Sequence, residues 1–171
     1  MKFDRATTRR VAAVLAAAPE LALPMLTGCG RAQQAPRVAY TLLDGRRSDL
    51  AELRGHVVLV SFWATSCAPC VEEMPALVAN WRRFAPQGFQ TLAVSMSYDP
   101  PALVSNFAQA RALPFDVVID NTGAVARSFG GVEFTPTSVL IDQHGTIVRR
   151  WIGKTDFDAL APLIARLQAK G

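Results

Sequence analysis

The stretch from Val57 to Cys70 constrains the fold more than any other part of the chain. Val57-Val58-Leu59-Val60-Ser61-Phe62 is apolar and β-branched and lacks the alternation of a half-exposed strand, so it predicts a strand buried on both faces. The chain then turns through Trp63-Ala64-Thr65-Ser66, and Cys67-Ala68-Pro69-Cys70 opens a helix expected to run to about Phe84. Two sulfurs therefore stand at a helix start, where unpaired N–H groups and the positive end of the dipole favour negative charge. Such surroundings bring a thiol pKa from about 8.5 into a range of roughly 3.5–7.5. Cys67 reads as the nucleophile. Cys70, about one turn later on the same side, is spaced to attack a mixed disulfide and release the partner. Pro69 stiffens the first turn and withholds a donor the helix would leave unpaired.

The remaining elements follow from pattern. Val38 to Leu43 reads as a short strand, Asp44-Gly45 as a turn, and Ser48 to Leu53 as a capped helical turn ending at Gly55. Gln90 to Met96 and Asp116 to Ile119 read as strands on either side of a helix from Pro101 to Ala112, and Asn121 to Phe129 as a short helix closed by Gly130-Gly131. Thr137 to Ile141 and Thr146 to Trp151 flank the turn Asp142-Gln143-His144-Gly145 and predict an antiparallel hairpin. Asp156 to Lys170 is the last helix, capped by Thr155 or Asp156. This order predicts an α/β domain, a mixed central sheet flanked by helices on both faces.

Composition excludes several classes. With 171 residues, half of them hydrophobic and 19% charged, the chain is neither disordered nor collagen-like, and one domain is expected. From Cys29 onward fourteen bases meet twelve acids, which is no nucleic-acid footprint. Three cysteines are too few for a four-thiolate zinc site or a disulfide-stapled miniature fold. A metal clip at Cys67 and Cys70 would need two more ligands, and the histidines available are His56, where a strand begins, and His144, in a hairpin turn. Both read as solvent-facing, so no metal is expected; an inert buried pair is the other alternative to redox chemistry.

Residues 1–28 have the architecture of an export signal. Lys2 to Arg10 is basic, Val11 to Ala18 is an unbroken apolar run, and Leu26-Thr27-Gly28 precedes Cys29. The run is shorter than the roughly 20 apolar residues a membrane span requires. Leu26-Thr27-Gly28-Cys29 resembles a bacterial lipoprotein box, which implies lipidation of Cys29; ordinary cleavage and an uncleaved anchor are the alternatives. Residues 29–37 read as a polar tether and 38–171 as the folded domain.

The run from Val58 to Cys70, continued by Val71-Glu72-Glu73-Met74-Pro75, resembles the TlpA/ResA-type extracytoplasmic branch of the thioredoxin superfamily. Gly131 to Asp142, with Thr135-Pro136, resembles that family's second landmark. The resemblance covers roughly Val38 to Lys170. It implies a thioredoxin fold with an N-terminal extension and a strand–helix insertion, and a redox-active Cys67–Cys70 disulfide with no other cofactor. In it Cys67 matches the attacking thiol, Cys70 the resolving thiol, and Pro136 a cis-proline that leaves the Thr135 backbone free for an extended substrate strand. Glu73 matches an acid that manages protons beside the sulfurs. Trp63, Ala68 and Pro69 fall among the positions expected to meet substrate, Trp63 having core packing as its simpler role. Ser66 stands where the family usually has tryptophan, so an aromatic shield over the sulfurs is missing.

The residues between the cysteines include no group that would further stabilise the Cys67 thiolate, which favours a reductant over a strong oxidant. The resemblance implies protein disulfide or dithiol substrates, a membrane electron-donor protein, and a site of action in the bacterial cell envelope or periplasm. Apocytochrome c haem-attachment cysteines and copper-site cysteines are the analogous targets. Two other functions fit the residues less well. A thiol peroxidase of the peroxiredoxin kind would need threonine and proline where Ala64 and Val60 stand. A copper-delivery module would add a histidine ligand and wider cysteine spacing.

Overall fold

The computed structural model describes residues 33–170, so the export segment and Cys29 lie outside the described residues. Seven strands and four helices follow in the order β1 (Ala39–Thr41), β2 (Arg47–Asp49), β3 (Val57–Trp63), α1 (Ala68–Phe84), β4 (Phe89–Ser95), α2 (Pro101–Ala110), β5 (Asp116–Ile119), α3 (Ala124–Ser128), β6 (Thr137–Ile141), β7 (Ile147–Ile152) and α4 (Phe157–Gln168). The central sheet has the order β5-β4-β3-β6-β7, and β1 and β2 form a separate hairpin. β3, β4 and β5 are parallel, while β6 runs antiparallel to β3 and β7 antiparallel to β6. This is the mixed sheet the element order predicts.

Every residue of β3 is buried, because successive side chains point to opposite faces and both faces are covered. Val57, Leu59 and Trp63 face a core closed by α1, α2 and α4, to which Met74, Leu77, Val104, Leu160 and Ile164 contribute. Val58, Val60 and Phe62 face a second core with Tyr40, Leu42, Leu50, Val125 and Phe129. Ser61, a polar residue of β3, is buried opposite Ser138 of β6.

Several local expectations change; the helix expected over Asn121 to Phe129, for one, is confined to Ala124–Ser128. Ser48 and Asp49 belong to β2, paired with Tyr40 and Ala39, and the helical turn shrinks to a 3₁₀ turn over Leu50–Leu53. Asp49 serves both elements: its backbone is extended and its side chain accepts from Ala51 N at 2.7 Å. The helix expected to reach Ala112 ends at Ala110, since Ala112 takes a positive φ of 44° and Leu113 N returns to Ala108 O at 3.1 Å, closing the last turn where glycine is usual. Residues 33–35, inside the expected tether, are held by the domain: Gln34 bridges Thr146, Ala35 N donates to Gly145 O and Ile147 N to Gln33 O, both at 2.8 Å. Polar composition hides this, because the pairing rests on backbone groups and on the Gln34 side chain, which donates to Thr146 Oγ1 at 3.2 Å. Among the described residues no helix is long and apolar enough to cross a membrane.

Candidate active site

Topology brings the two landmarks together. Phe62 of β3 lies opposite Thr137 of β6, so Pro136 falls beside the end of β3, where the chain leaves for Cys67. The Thr135–Pro136 bond is cis, as the resemblance implies. Cys70 and Pro136 line one small cavity with Ser61, Trp63, Glu73, Met74 and Leu77. Its volume of about 10 Å³ is on the scale of a single water molecule.

Cys67 is the N-cap of α1, with extended backbone at φ −89° and ψ 99°. Its Sγ accepts from Cys70 N at 3.3 Å, one of the amides a helix start leaves without a backbone partner. The two cysteines are joined in a disulfide with their Cα atoms 5.2 Å apart. They differ in access: Cys67 is half-buried, whereas Cys70 is 2% exposed. Ala68 is exposed and Pro69 half-buried between them, so an approaching chain meets Cys67 and these residues first.

Trp63 does not stand where a partner could touch it. At 1% exposure it packs against Phe107 with ring centroids 5.1 Å apart, and it lines the cavity below Cys70. Its position in a strand covered on both faces leaves it no route to solvent, so its place is support beneath the sulfurs. His56, next to the Gly88 carbonyl at 3.3 Å, and His144 sit at the opposite end of the strands, roughly 20 Å of strand length from the dithiol.

Glu73 shares the cavity with Cys70, and its Oε1 accepts from Thr155 N. Thr155 in turn donates through Oγ1 to Ser138 Oγ at 2.9 Å, next to Ser61 across the sheet. The last helix is capped by Asp156, which accepts from Ala159 N at 3.0 Å, and this frees Thr155 for the site. Glu72, one residue before, points outward and pairs with Lys154 at 2.7 Å. Burial pushes the Glu73 carboxyl above its ordinary range, opposed in part by the Thr155 amide and by Lys154.

That direction has a consequence for stability. An acid whose folded pKa is raised favours folding when protonated, so its contribution is present below the unfolded value and is lost as pH rises through the folded one. Glu73→Gln, which keeps an acceptor for Thr155 N, is expected to melt higher than the parent at pH 7 to 8. The difference should close below the ordinary glutamate value of 4.5. Melting curves across pH check this; a difference independent of pH contradicts it.

Two residues that sequence reading passed over also belong here. Asp99, 3% exposed, accepts from Thr65 N at 2.6 Å and from Thr65 Oγ1 at 2.5 Å. Tyr98, exposed, places its hydroxyl 3.3 Å from Thr135 Oγ1. An Asp before Pro-Pro at a helix start carries the ordinary signal of a cap, and that signal points to the wrong partner.

A cleft of about 440 Å³ between the end of α2 and β5 is lined by Leu42, Ala108, Phe115 and neighbours and includes neither cysteine. A half-exposed sulfur at a helix start, a buried second sulfur and a cis-proline beside them define a thioredoxin-fold thiol-disulfide oxidoreductase. A family model described as AhpC/TSA matches residues 32–150, and the chain belongs to that family. It is similar to the thiol-disulfide oxidoreductase ResA of Bacillus thuringiensis (strain Al Hakam), 30% identical over 135 residues that cover 79% of this chain and 77% of that protein. A solution structure from Neisseria meningitidis classed with the thioredoxins superposes with a TM-score of 0.75 at 34% identity, covering 81% of this chain and 93% of that one. A thiol:disulfide interchange protein of the thioredoxin family from Chlorobium tepidum TLS gives 0.73 at 25% identity, covering 81% and 97%.

Proposed function

We propose that the chain is an extracytoplasmic protein-disulfide reductase that attacks through Cys67 and resolves through Cys70. The observation that carries this reading is the unequal access of the two sulfurs, half-buried Cys67 over Cys70 at 2% exposure. In the reduced protein the Cys70 amide and the helix start favour the Cys67 thiolate. That thiolate attacks one sulfur of a partner disulfide, forming a mixed disulfide and expelling the other partner sulfur as thiolate. Cys70 then loses its proton, attacks Cys67 Sγ and expels the second partner thiolate. Two electrons pass to the partner, and the Cys67–Cys70 disulfide remains. Glu73, in the same cavity as Cys70 and with a raised carboxyl pKa, is suited to take that proton.

The cavity at Cys70 has no room for more than a water-sized guest, so the second half of the exchange happens with the partner outside, as a protein segment laid over Cys67, Ala68, Pro69 and Thr135–Pro136. Cytochrome c or copper-site cysteines and a membrane electron donor complete the proposal by analogy. A lipid on Cys29 belongs to it too, read directly by the mass of the mature N-terminus.

Direction is tested by equilibrating the dithiol against glutathione and dithiothreitol buffers. The expected midpoint is below about −180 mV, on the side of thioredoxin rather than of the strong oxidant near about −120 mV. A midpoint near the latter value would make the protein an oxidase and overturn the reductase reading.

A further inference from the structure

The loop between β4 and α2 touches both halves of the site. Asp99 is held by its own N–H to Met96 O at 2.9 Å, at the end of a strand whose pairing continues through Met96 N to Trp63 O at 3.0 Å. Its carboxylate spends both oxygens on Thr65, one on the backbone N–H and one on the hydroxyl. It does not cap its own helix: the N-cap of α2 is Pro100, without a side-chain hydrogen bond. Among the described residues no cation pairs with it within 4 Å. A buried side chain that gives both of its oxygens to one residue ties the β4–α2 loop to that residue at two points.

What it fixes is the turn that presents Cys67. Thr65 lies two residues before the sulfur, inside the turn closed by Cys67 N to Ala64 O at 3.1 Å. We propose that Asp99 is the positioning residue for Cys67, holding Thr65 so that the attacking sulfur meets the first amides of α1. The proposal rests on Cys67 being the attacking thiol. With Thr65 released, the Ala64–Cys67 turn gains freedom and Cys67 Sγ spends less time on the Cys70 amide, which both lowers its thiolate fraction and blurs its direction of attack. A displacement of about 1 Å at a reacting atom can cost on the order of a hundredfold in rate. Tyr98, the adjacent residue, reaches Thr135 on the other loop, so one short segment contacts the loops that precede the nucleophile and the cis-proline.

The test is the alkylation of the reduced full-length chain by iodoacetamide across pH, with each cysteine followed by peptide mass spectrometry. In the parent, Cys67 is expected to react well before Cys70. Asp99→Asn, which exchanges one acceptor oxygen for a donor facing Thr65, is expected to slow Cys67 about tenfold at neutral pH and to move its pH profile to higher pH. Thr65→Val, which removes only the hydroxyl donor, is expected to move both readings the same way, and Thr65→Ser, which keeps both donors, to restore them. Asp120→Asn provides the matched control. Asp120 is the other buried aspartate among the described residues, accepting from Ala126 N at 2.9 Å to hold α3, so its loss should lower the melting temperature and leave the Cys67 profile in place. If folded Asp99→Asn and Thr65→Val both keep the parental profile while melting lower, Asp99 merely stabilises the loop and the proposal is overturned. If Cys70 reacts first in the parent, the attack order itself is wrong, and the positioning role falls with it.

Discussion

Cys67→Ser is expected to reduce disulfide exchange by about 10³-fold or more, because a hydroxyl cannot form the mixed disulfide through which the electrons pass. The fold should survive the change. Serine is among the preferred N-cap residues, and its Oγ can accept the Cys70 amide that Cys67 Sγ accepts now. Turnover of a protein disulfide, measured beside the melting temperature of the reduced parent, separates chemistry from stability: the first should vanish and the second should hold. Cys70→Ser differs in kind, since the first attack remains possible and only release is lost.

Trp63→Ala is expected to have the largest effect on stability, about 3–5 kcal/mol from lost burial and the cavity left behind. Trp63 is 1% exposed, packs against Phe107 with ring centroids 5.1 Å apart and lines the cavity it shares with Cys70. Against a total of about 5–15 kcal/mol for a domain, that loss is a large fraction and should lower the melting temperature by about 10 °C or more. Its indole N–H is buried without a hydrogen-bond partner, so Trp63→Phe should cost much less than the alanine change. Were Trp63 a substrate contact, the alanine variant would instead lose affinity for partner while melting like the parent.

These expectations mark where sequence reading succeeds and where it stops. β3 and the helix after it were legible because the apolar, β-branched run from Val57 to Phe62 and the turn into Cys67-Ala68-Pro69-Cys70 leave little alternative. Cys67 and Cys70 were legible for the same reason, since their chemistry comes from local position at a helix start. Pro136 and Glu73 needed the family resemblance, which placed them correctly beside the sulfurs. The partners of Glu73 and of Thr65 did not show, because they lie 82 and 34 residues away along the chain and no periodicity links them. β2 stayed hidden because Arg47-Ser48-Asp49 has no apolar alternation and exists as a strand only through its pairing with Ala39–Thr41. For Trp63 the sequence allows both core and substrate contact, and the covering of both sheet faces decides for the core.

The attack order is tested most directly by trapping. Cys67→Ser and Cys70→Ser proteins, each reduced and mixed with a protein disulfide, are resolved without reductant and mapped by mass spectrometry. Cys70→Ser should accumulate a mixed disulfide through Cys67, and Cys67→Ser should capture nothing. Capture by Cys67→Ser through Cys70, with none by Cys70→Ser, would show that the buried sulfur strikes first and that helix-start activation of Cys67 is not how this protein works.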